Sequence, residues 1–240
     1  MDKVQSIEEA TARLHDGATI MIGGFCSVGT PLKLVEAIFN SGVKDLTVIS
    51  VVNANLFSDE TSELHVLFAN HRIKKFICAH NGTCRTAQDQ EKNGELEVEF
   101  YPMGTWIEKI RAGGGGLGGV LTPVGLGTLV EQGKQKLTIE GKEYLLELPL
   151  RAEIGFIKGR RADPLGNVEY HGVSRNSNPT IAMAADYVVA EVDEIVNIGD
   201  IDPERVGTPG VFVHSVVQGY PYREHQALVS AIWARGGALK

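Results

Sequence analysis

No run of eighteen apolar residues occurs among the 240 residues of this chain, so nothing in it reads as a membrane-spanning helix. Its start, Met1-Asp2-Lys3, begins no apolar leader, and the expectation is a soluble protein of the cytoplasm. Basic clusters are missing as well. Lys and Arg number 23 against 30 Asp and Glu, a net charge of −7 with no basic block, which argues against nucleic acid as the main partner. Cysteine is scarce: Cys26, Cys78 and Cys84 make no disulfide framework at this size. Cys78, His80 and Cys84 lie near one another, but no further ligand pair follows at zinc spacing. Cys78 also falls inside the apolar run Phe76-Ile77-Cys78-Ala79, so buried reduced thiols are expected and no metal site. Internal repeats and low-complexity linkers are absent. With 43% hydrophobic residues the chain can bury a full core as one large domain or two small ones, and we read residues 1–240 as one.

What the sequence does have is glycine in a telling place. Asp16-Gly17 reads as a turn, Thr19–Ile22 as a buried strand, Gly23–Gly29 as a glycine-bearing loop, and Thr30-Pro31 as a helix start. Thr30 suits an N-cap, Pro31 a first helical position, and Gly42 a C-terminal stop. Gly23 and Gly24 bring bare backbone to the carboxyl end of the strand, where open α/β sheets place ligands. Several loop N–H groups and the helix N-terminus would then face that ligand. The same spacing is also that of a plain βα turn.

Apolar runs alternate with amphipathic stretches through the first half, the βαβ pattern of a mostly parallel open sheet flanked by helices. Helices are expected at Ser6–His15, Pro31–Asn40, Thr83–Asn93 and Gly104–Gly113, and strands at Leu46–Val51, Lys74–His80 and Leu96–Tyr101. In the second half, Lys136–Ile139 and Tyr144–Glu147 flank Glu140-Gly141 as a hairpin, a small flap inserted at about 136–147. Further strands are expected at Ile154–Lys158, Val168–Tyr170, Tyr187–Val192 and Val211–His214. A short helix Asn178–Ala185 would be capped by Asn178, and Arg223–Arg235 closes the chain as a helix able to dock on a partner or on its own domain.

The segment Asp16–Pro31 resembles, position by position, the signature of the family I coenzyme A transferases: Asp-Gly, two free positions, three apolar residues, Gly-Gly-Phe, three free, Gly, one free, Pro. Arg111–Gly119, Leu121–Thr128, Asp163–Asn167, Ser174–Pro179 and Thr208–Val211 are similar to later family segments in the expected order. The resemblance implies the alpha subunit of an acetate/butyrate–acetoacetate (3-oxoacid) type of enzyme. It would move coenzyme A between a short-chain acyl- or 3-oxoacyl-coenzyme A and a carboxylic acid. Coenzyme A and acyl-coenzyme A would be substrates, with no cofactor held permanently.

Such chemistry needs a carboxylate nucleophile that becomes a glutamyl thioester. The family carries that glutamate in a Ser-Glu-Asn-Gly stretch, which is absent here; Ser62-Glu63-Leu64 is the only Ser-Glu pair. No catalytic nucleophile is therefore expected in this chain. The resemblance places it on a beta subunit, in an assembly of two alpha and two beta chains. The coenzyme-facing residues would be Gly23, Gly24, Phe25, Cys26, Ser27, Val28 and Gly29, with Cys26 a wall residue and the loop amides as oxyanion donors.

The chain departs from the family pattern in three places. Val51 stands after Ser50 where asparagine is common, with Asn53 two residues later; Pro102-Met103-Gly104 replaces Pro-Gln-Gly; Arg175-Asn176-Ser177 replaces Arg-Asn-Phe. Asn53 and Met103 are the substrate-pocket candidates, and Met103 implies a more apolar acyl pocket. Two other readings stay open: a coenzyme-binding regulatory module of the same fold, and a dinucleotide-binding oxidoreductase. The second lacks the Gly-x-Gly-x-x-Gly spacing and has Ser50, not an acid, at the end of the next strand.

Overall fold

A computed structural model describes residues 2–235. Eleven strands and seven α-helices follow one another among them. The first half is built of β1 (Thr19–Ile22), α2 (Leu32–Asn40), β2 (Leu46–Ile49), α3 (His65–Ala69), β3 (Ile73–Cys78), α4 (Arg85–Lys92), β4 (Glu97–Phe100) and α5 (Met103–Gly114), after a short α1 (Ile7–Thr11). The second half adds β5 (Val120–Thr122), β6 (Lys136–Ile139), β7 (Lys142–Glu147), β8 (Ala152–Ala162), β9 (Val168–Glu169), α6 (Asn178–Ala184), β10 (Ala185–Ile195), β11 (Ser215–Gln218) and α7 (Tyr222–Arg235).

The main sheet runs β11-β10-β8-β1-β2-β3-β4, all parallel, with β9 antiparallel on β8. Its middle strands are nearly continuous apolar runs because helices cover both faces. One core layer gathers Leu34, Ile38, Val48, Phe68 and Phe76; the other holds Met21, Trp106, Ile110, Ile157 and Val188. All strand carboxyl ends of the parallel set lie along one edge, and the loops at that edge carry the candidate residues. No helix among the described residues is long and apolar enough to cross a membrane.

The expected hairpin is present and gains a third strand, giving the order β5-β7-β6. Its anchor is Glu147, which is buried and accepts from Lys109 Nζ at 3.2 Å and Lys134 Nζ at 2.5 Å. The glycine run that ends α5 serves packing at two positions. A Cβ on Gly113 would lie 2.1 Å from the Leu150 carbonyl oxygen, and one on Gly114 would lie 2.6 Å from Met183 Cβ.

Several local expectations are corrected. The first helix spans Ile7–Thr11, not Ser6–His15, with Ser6 and Glu9 forming a capping box. Thr30 does not cap α2: Pro31 occupies the cap position and helical geometry begins at Leu32. Val211–His214 is not a strand. Gly210–Phe212 forms a 3₁₀ turn, because Gly210 is pressed against Leu165 and its N–H is held by Asn167 Oδ1, and the strand comes at Ser215–Gln218. Asn178 is the first residue of α6, not its cap; its side chain is drawn away into the site described next.

Candidate functional site

The segment Gly23–Gly29 turns back on itself at the carboxyl end of β1. Phe25 and Val28 exchange both backbone hydrogen bonds at 3.0 Å, and the two residues between them, Cys26 (φ 48°) and Ser27 (φ 71°), are both left-handed. Two successive positive φ values define the tight hairpin turn that normally recruits Asn-Gly or Gly-Gly. Here no glycine occupies either central position, so neighbouring groups must hold the shape.

Glu63 is one of them. Its side chain is buried beneath the turn, with Oε1 accepting the Ser27 N–H at 2.9 Å and Oε2 the Asn55 N–H at 2.6 Å. Asn55 closes the clamp by donating from Nδ2 to the Cys26 carbonyl at 2.9 Å. Burial pushes the Glu63 carboxyl up to about 7, against the opposing pull of the two amides. Burial also drives the Cys26 thiol up to about 11, with the Glu63 charge adding to it, so Cys26 is a thiol and not a ready nucleophile at neutral pH.

The other side of the turn is held from α6 and the 3₁₀ turn before it (Gly172–Arg175). Asn176 Nδ2 donates to the Val28 carbonyl at 2.9 Å, and Asn178 Nδ2 donates to the Gly29 and Ser174 carbonyls at 3.1 and 3.0 Å. Asn178 Oδ1 accepts the Lys158 N–H of β8 at 3.0 Å. These contacts require bare backbone opposite. A Cβ on Gly23 would lie 1.8 Å from Asn178 Oδ1, and one on Gly29, at φ +72°, would lie 2.3 Å from the Ser174 carbonyl oxygen. The two motifs singled out in the sequence, about 150 residues apart, thus meet in one place.

Four of the seven loop amides are already used inside the chain. Gly23 donates to Phe156, Phe25 and Val28 to each other, and Ser27 to Glu63. The α2 N-terminus, expected to face a ligand, is also filled. Glu191, fully buried on β10, accepts the Leu34 N–H at 3.0 Å and places a carboxyl where an outside anion would bind. Burial pushes this acid up to about 7, despite the pull of Lys158.

Beside Val28 and Gly29 a cleft of about 540 Å³ opens between β8, β10, the Gly172–Arg175 turn and α7. Lys158 on its wall is paired with Asp193, and Arg160 Nη1 lies 3.7 Å from Asp193 and 3.9 Å from Glu194. Its cations therefore face the chain's own carboxylates.

The remaining sequence candidates lie elsewhere. Asn53 has no exposed surface: Nδ2 donates to Asn81 Oδ1 at 2.7 Å, and Oδ1 accepts from Thr83 Oγ1 at 2.5 Å and from the Ala54 N–H at 3.1 Å. Met103, 50% exposed, starts α5 at the end of β4, three strands and about 14 Å across the sheet from β1. Arg175 is exposed at the end of its turn. Cys78 and Cys84 are buried free thiols, and no cluster of three metal-ligating side chains occurs among the described residues.

The family model described as Coenzyme A transferase matches residues 4–219. The chain belongs to the coenzyme A transferase family. It is 46% identical over 215 residues to the acetate CoA-transferase subunit alpha of Escherichia coli K12, covering 90% of this chain and 96% of that one. It is 44% identical over 216 residues to the acetoacetyl-CoA:acetate/butyrate CoA transferase alpha subunit of Clostridium acetobutylicum, covering 90% and 97%. Among solved structures, the glutaconate coenzyme A-transferase of Acidaminococcus fermentans shares the fold with a TM-score of 0.79 at 23% identity, covering 93% of this chain and 77% of that one. The acyl-CoA transferase of E. coli O157:H7 aligns with a TM-score of 0.82 at 22% identity over 90% of this chain, which spans 47% of that longer polypeptide.

Sequence reasoning missed Glu63 and Glu191. Each is one acid among several nearby in the sequence, beside Asp59 and Glu60 or Asp193 and Glu194, and only the fold brings it to the loop or the helix end. The one signal for Glu63 was that it sat in the chain's sole Ser-Glu pair, which matched no motif.

Proposed function

We propose that this chain is the alpha subunit of a heteromeric coenzyme A transferase acting on short-chain acyl- or 3-oxoacyl-coenzyme A and a carboxylic acid. The observation that carries this reading is the turn Phe25–Val28, held in a strained left-handed form from both sides, in a chain of the transferase family that has no Ser-Glu-Asn-Gly stretch. The names of the two relatives, both alpha subunits, support a beta partner; the two-plus-two stoichiometry and a cytoplasmic setting are part of the proposal.

In this account the partner's glutamate carboxylate attacks the thioester carbonyl, the coenzyme A thiolate leaves, and a mixed anhydride forms. The thiolate then attacks the glutamyl carbonyl, releasing the first acid and leaving a glutamyl thioester; the acceptor acid reverses both steps. Each attack creates a tetrahedral oxyanion. The amides of Gly24, Cys26 and Gly29, the three of the loop not engaged in the bonds described above, are the donors this chain would offer. Holding them rigid matters because a donor that must reorient gives back much of its stabilisation of the transition state.

The oxidoreductase reading loses its physical basis. A dinucleotide pyrophosphate needs an open helix N-terminus, and Glu191 fills that of α2.

The test is reconstitution. The chain alone is expected to transfer no coenzyme A from acetoacetyl- or butyryl-coenzyme A to acetate, and mixing with a beta chain bearing the Ser-Glu-Asn-Gly stretch restores transfer. Full activity from the lone chain overturns the division of labour; coenzyme binding by the assembled pair without transfer supports the regulatory module. Met103 stands three strands from β1, away from the cleft beside Val28 and Gly29, and Met103→Gln tests whether it touches the acyl group at all: a changed ratio of butyryl- to acetoacetyl-coenzyme A keeps it as a contact, and an unchanged ratio removes it.

A further inference from the structure

The last helix, α7, begins at Tyr222, past the end of the family-matched segment at residue 219. It is not a loose tail. At its start the Arg160 guanidinium lies over the Tyr222 ring, 4.4 Å from the centroid, and His171 packs edge-on against the same ring at 5.8 Å. At its end Trp233 packs edge-on against Phe57 at 5.6 Å, and Arg235 pairs with Asp59 at 2.6 Å. Between these anchors Ile232 and His225 are buried. The two anchor points lie on opposite flanks of the Cys26–Ser27 turn: His171 beside the segment that holds Val28 and Gly29, and Phe57 and Asp59 in the loop that contains Asn55 and leads to Glu63. The helix therefore joins the segment around His171 to the loop around Phe57 and Asp59.

Its residues Tyr222, His225, Gln226, Val229 and Ser230 line the same cleft as Val28 and Gly29. His225 Nδ1 is buried there without a hydrogen-bond partner among the described residues, and burial lowers its pKa to about 4, so a neutral ring faces the cleft. The chemistry of the walls selects the kind of occupant. Lys158 and Arg160 both face carboxylates, which leaves no surplus positive charge for the phosphates of the coenzyme. Val28, Val173 and Val229 supply apolar surface for an alkyl chain. The volume of about 540 Å³ is several times what acetate needs.

Resting on the transferase reading, we propose that α7 is a specificity wall: it closes the cleft beside Val28–Gly29 and sets the length of the carboxylic acid, or of the acyl chain derived from it, that reaches the loop. A pocket discriminates chain length by roughly ten- to two-hundred-fold per misfit methylene at best, so wall changes should be read in ratios between acids.

The experiment uses the assembled complex with its beta chain and measures kcat/KM for acetate, butyrate and hexanoate as acceptors from acetoacetyl-coenzyme A. Val229→Trp narrows the cleft and Tyr222→Ala widens it. The hexanoate-to-acetate ratio is expected to fall about tenfold or more in the first and to rise in the second, with thermal unfolding confirming that both variants are folded. A chain truncated after Tyr220 removes the wall without filling anything, and relaxed selection is expected of it as well. A ratio that stays constant across all three, or that moves the same way in Val229→Trp and Tyr222→Ala, overturns the wall while leaving the transferase reading intact. No transfer to any acid by the wild-type complex overturns the transferase reading, and the wall falls with it.

Discussion

The Glu63 carboxylate sits under the backbone of Ser27, accepting its N–H at 2.9 Å from the far side of the turn that carries the candidate oxyanion donors. This single contact ties a strained, glycine-free hairpin to a loop that no sequence motif marks. Glu63 itself has φ 55°, so the clamp is held by a residue that is also left-handed.

Replacing this acid tests the clamp. Glu63→Gln keeps one acceptor but turns a donor toward the second amide, leaving a buried N–H opposite another N–H. The expected cost is about 1–3 kcal/mol of stability. In the reconstituted complex kcat should fall more than KM rises, because the turn's geometry matters most as the oxyanion forms. Thermal unfolding and steady-state kinetics check the two parts separately.

Gly29→Ala should be more severe than its size suggests. The added methyl would stand 2.3 Å from the Ser174 carbonyl oxygen at a φ of +72°, and a backbone atom cannot swing aside. Destabilisation of at least ~2 kcal/mol is expected, with transfer activity lost. Gly127→Ala, at the same φ of +72° but in open space, is the control for backbone strain alone.

Thiol chemistry gives a cleaner test of Cys26. Its thiol is raised to about 11 by burial, so alkylation by iodoacetamide at pH 7 should be slow in the native protein and fast after unfolding. Cys26→Ser should retain most activity. Rapid native labelling with loss of activity would make Cys26 a participant and not a wall.

The pH dependence of stability has a definite sign. Glu63 and Glu191 are both raised from an ordinary value of 4.5 to about 7, so the folded state holds protons that the unfolded state has already released. Their stabilisation is complete below about 4.5 and is lost as pH rises through about 7. His225, lowered from 6.5 to about 4, works the opposite way but only below about 6.5. The melting temperature should therefore fall between pH 6.5 and 8, and Glu191→Gln should flatten that fall while keeping an acceptor for the Leu34 N–H.

Much of this was legible in the sequence, for physical reasons. Buried parallel strands are apolar runs, so β1, β2, β3 and β8 stand out, and the Asp16–Pro31 pattern located the loop as far as its turn. The Ser174–Pro179 cluster was legible as polar residues before a helix, but not as the partner of Gly29, because pairing across 149 positions leaves no local trace. Helix caps failed where side chains had better partners: Asn178 serves three elements instead of its own helix. The filled α2 N-terminus was invisible for the same reason, since Glu191 reaches it only through the strand order β8-β10-β11.

The central claim is that this chain shapes the coenzyme loop while another polypeptide carries the carboxylate. Intact-mass spectrometry of the assembled complex after addition of acyl-coenzyme A tests it most directly. The account predicts a coenzyme A thioester on a glutamate of the partner chain, with this chain's mass unchanged. An adduct on Glu63, or on any other residue of this chain, would contradict it.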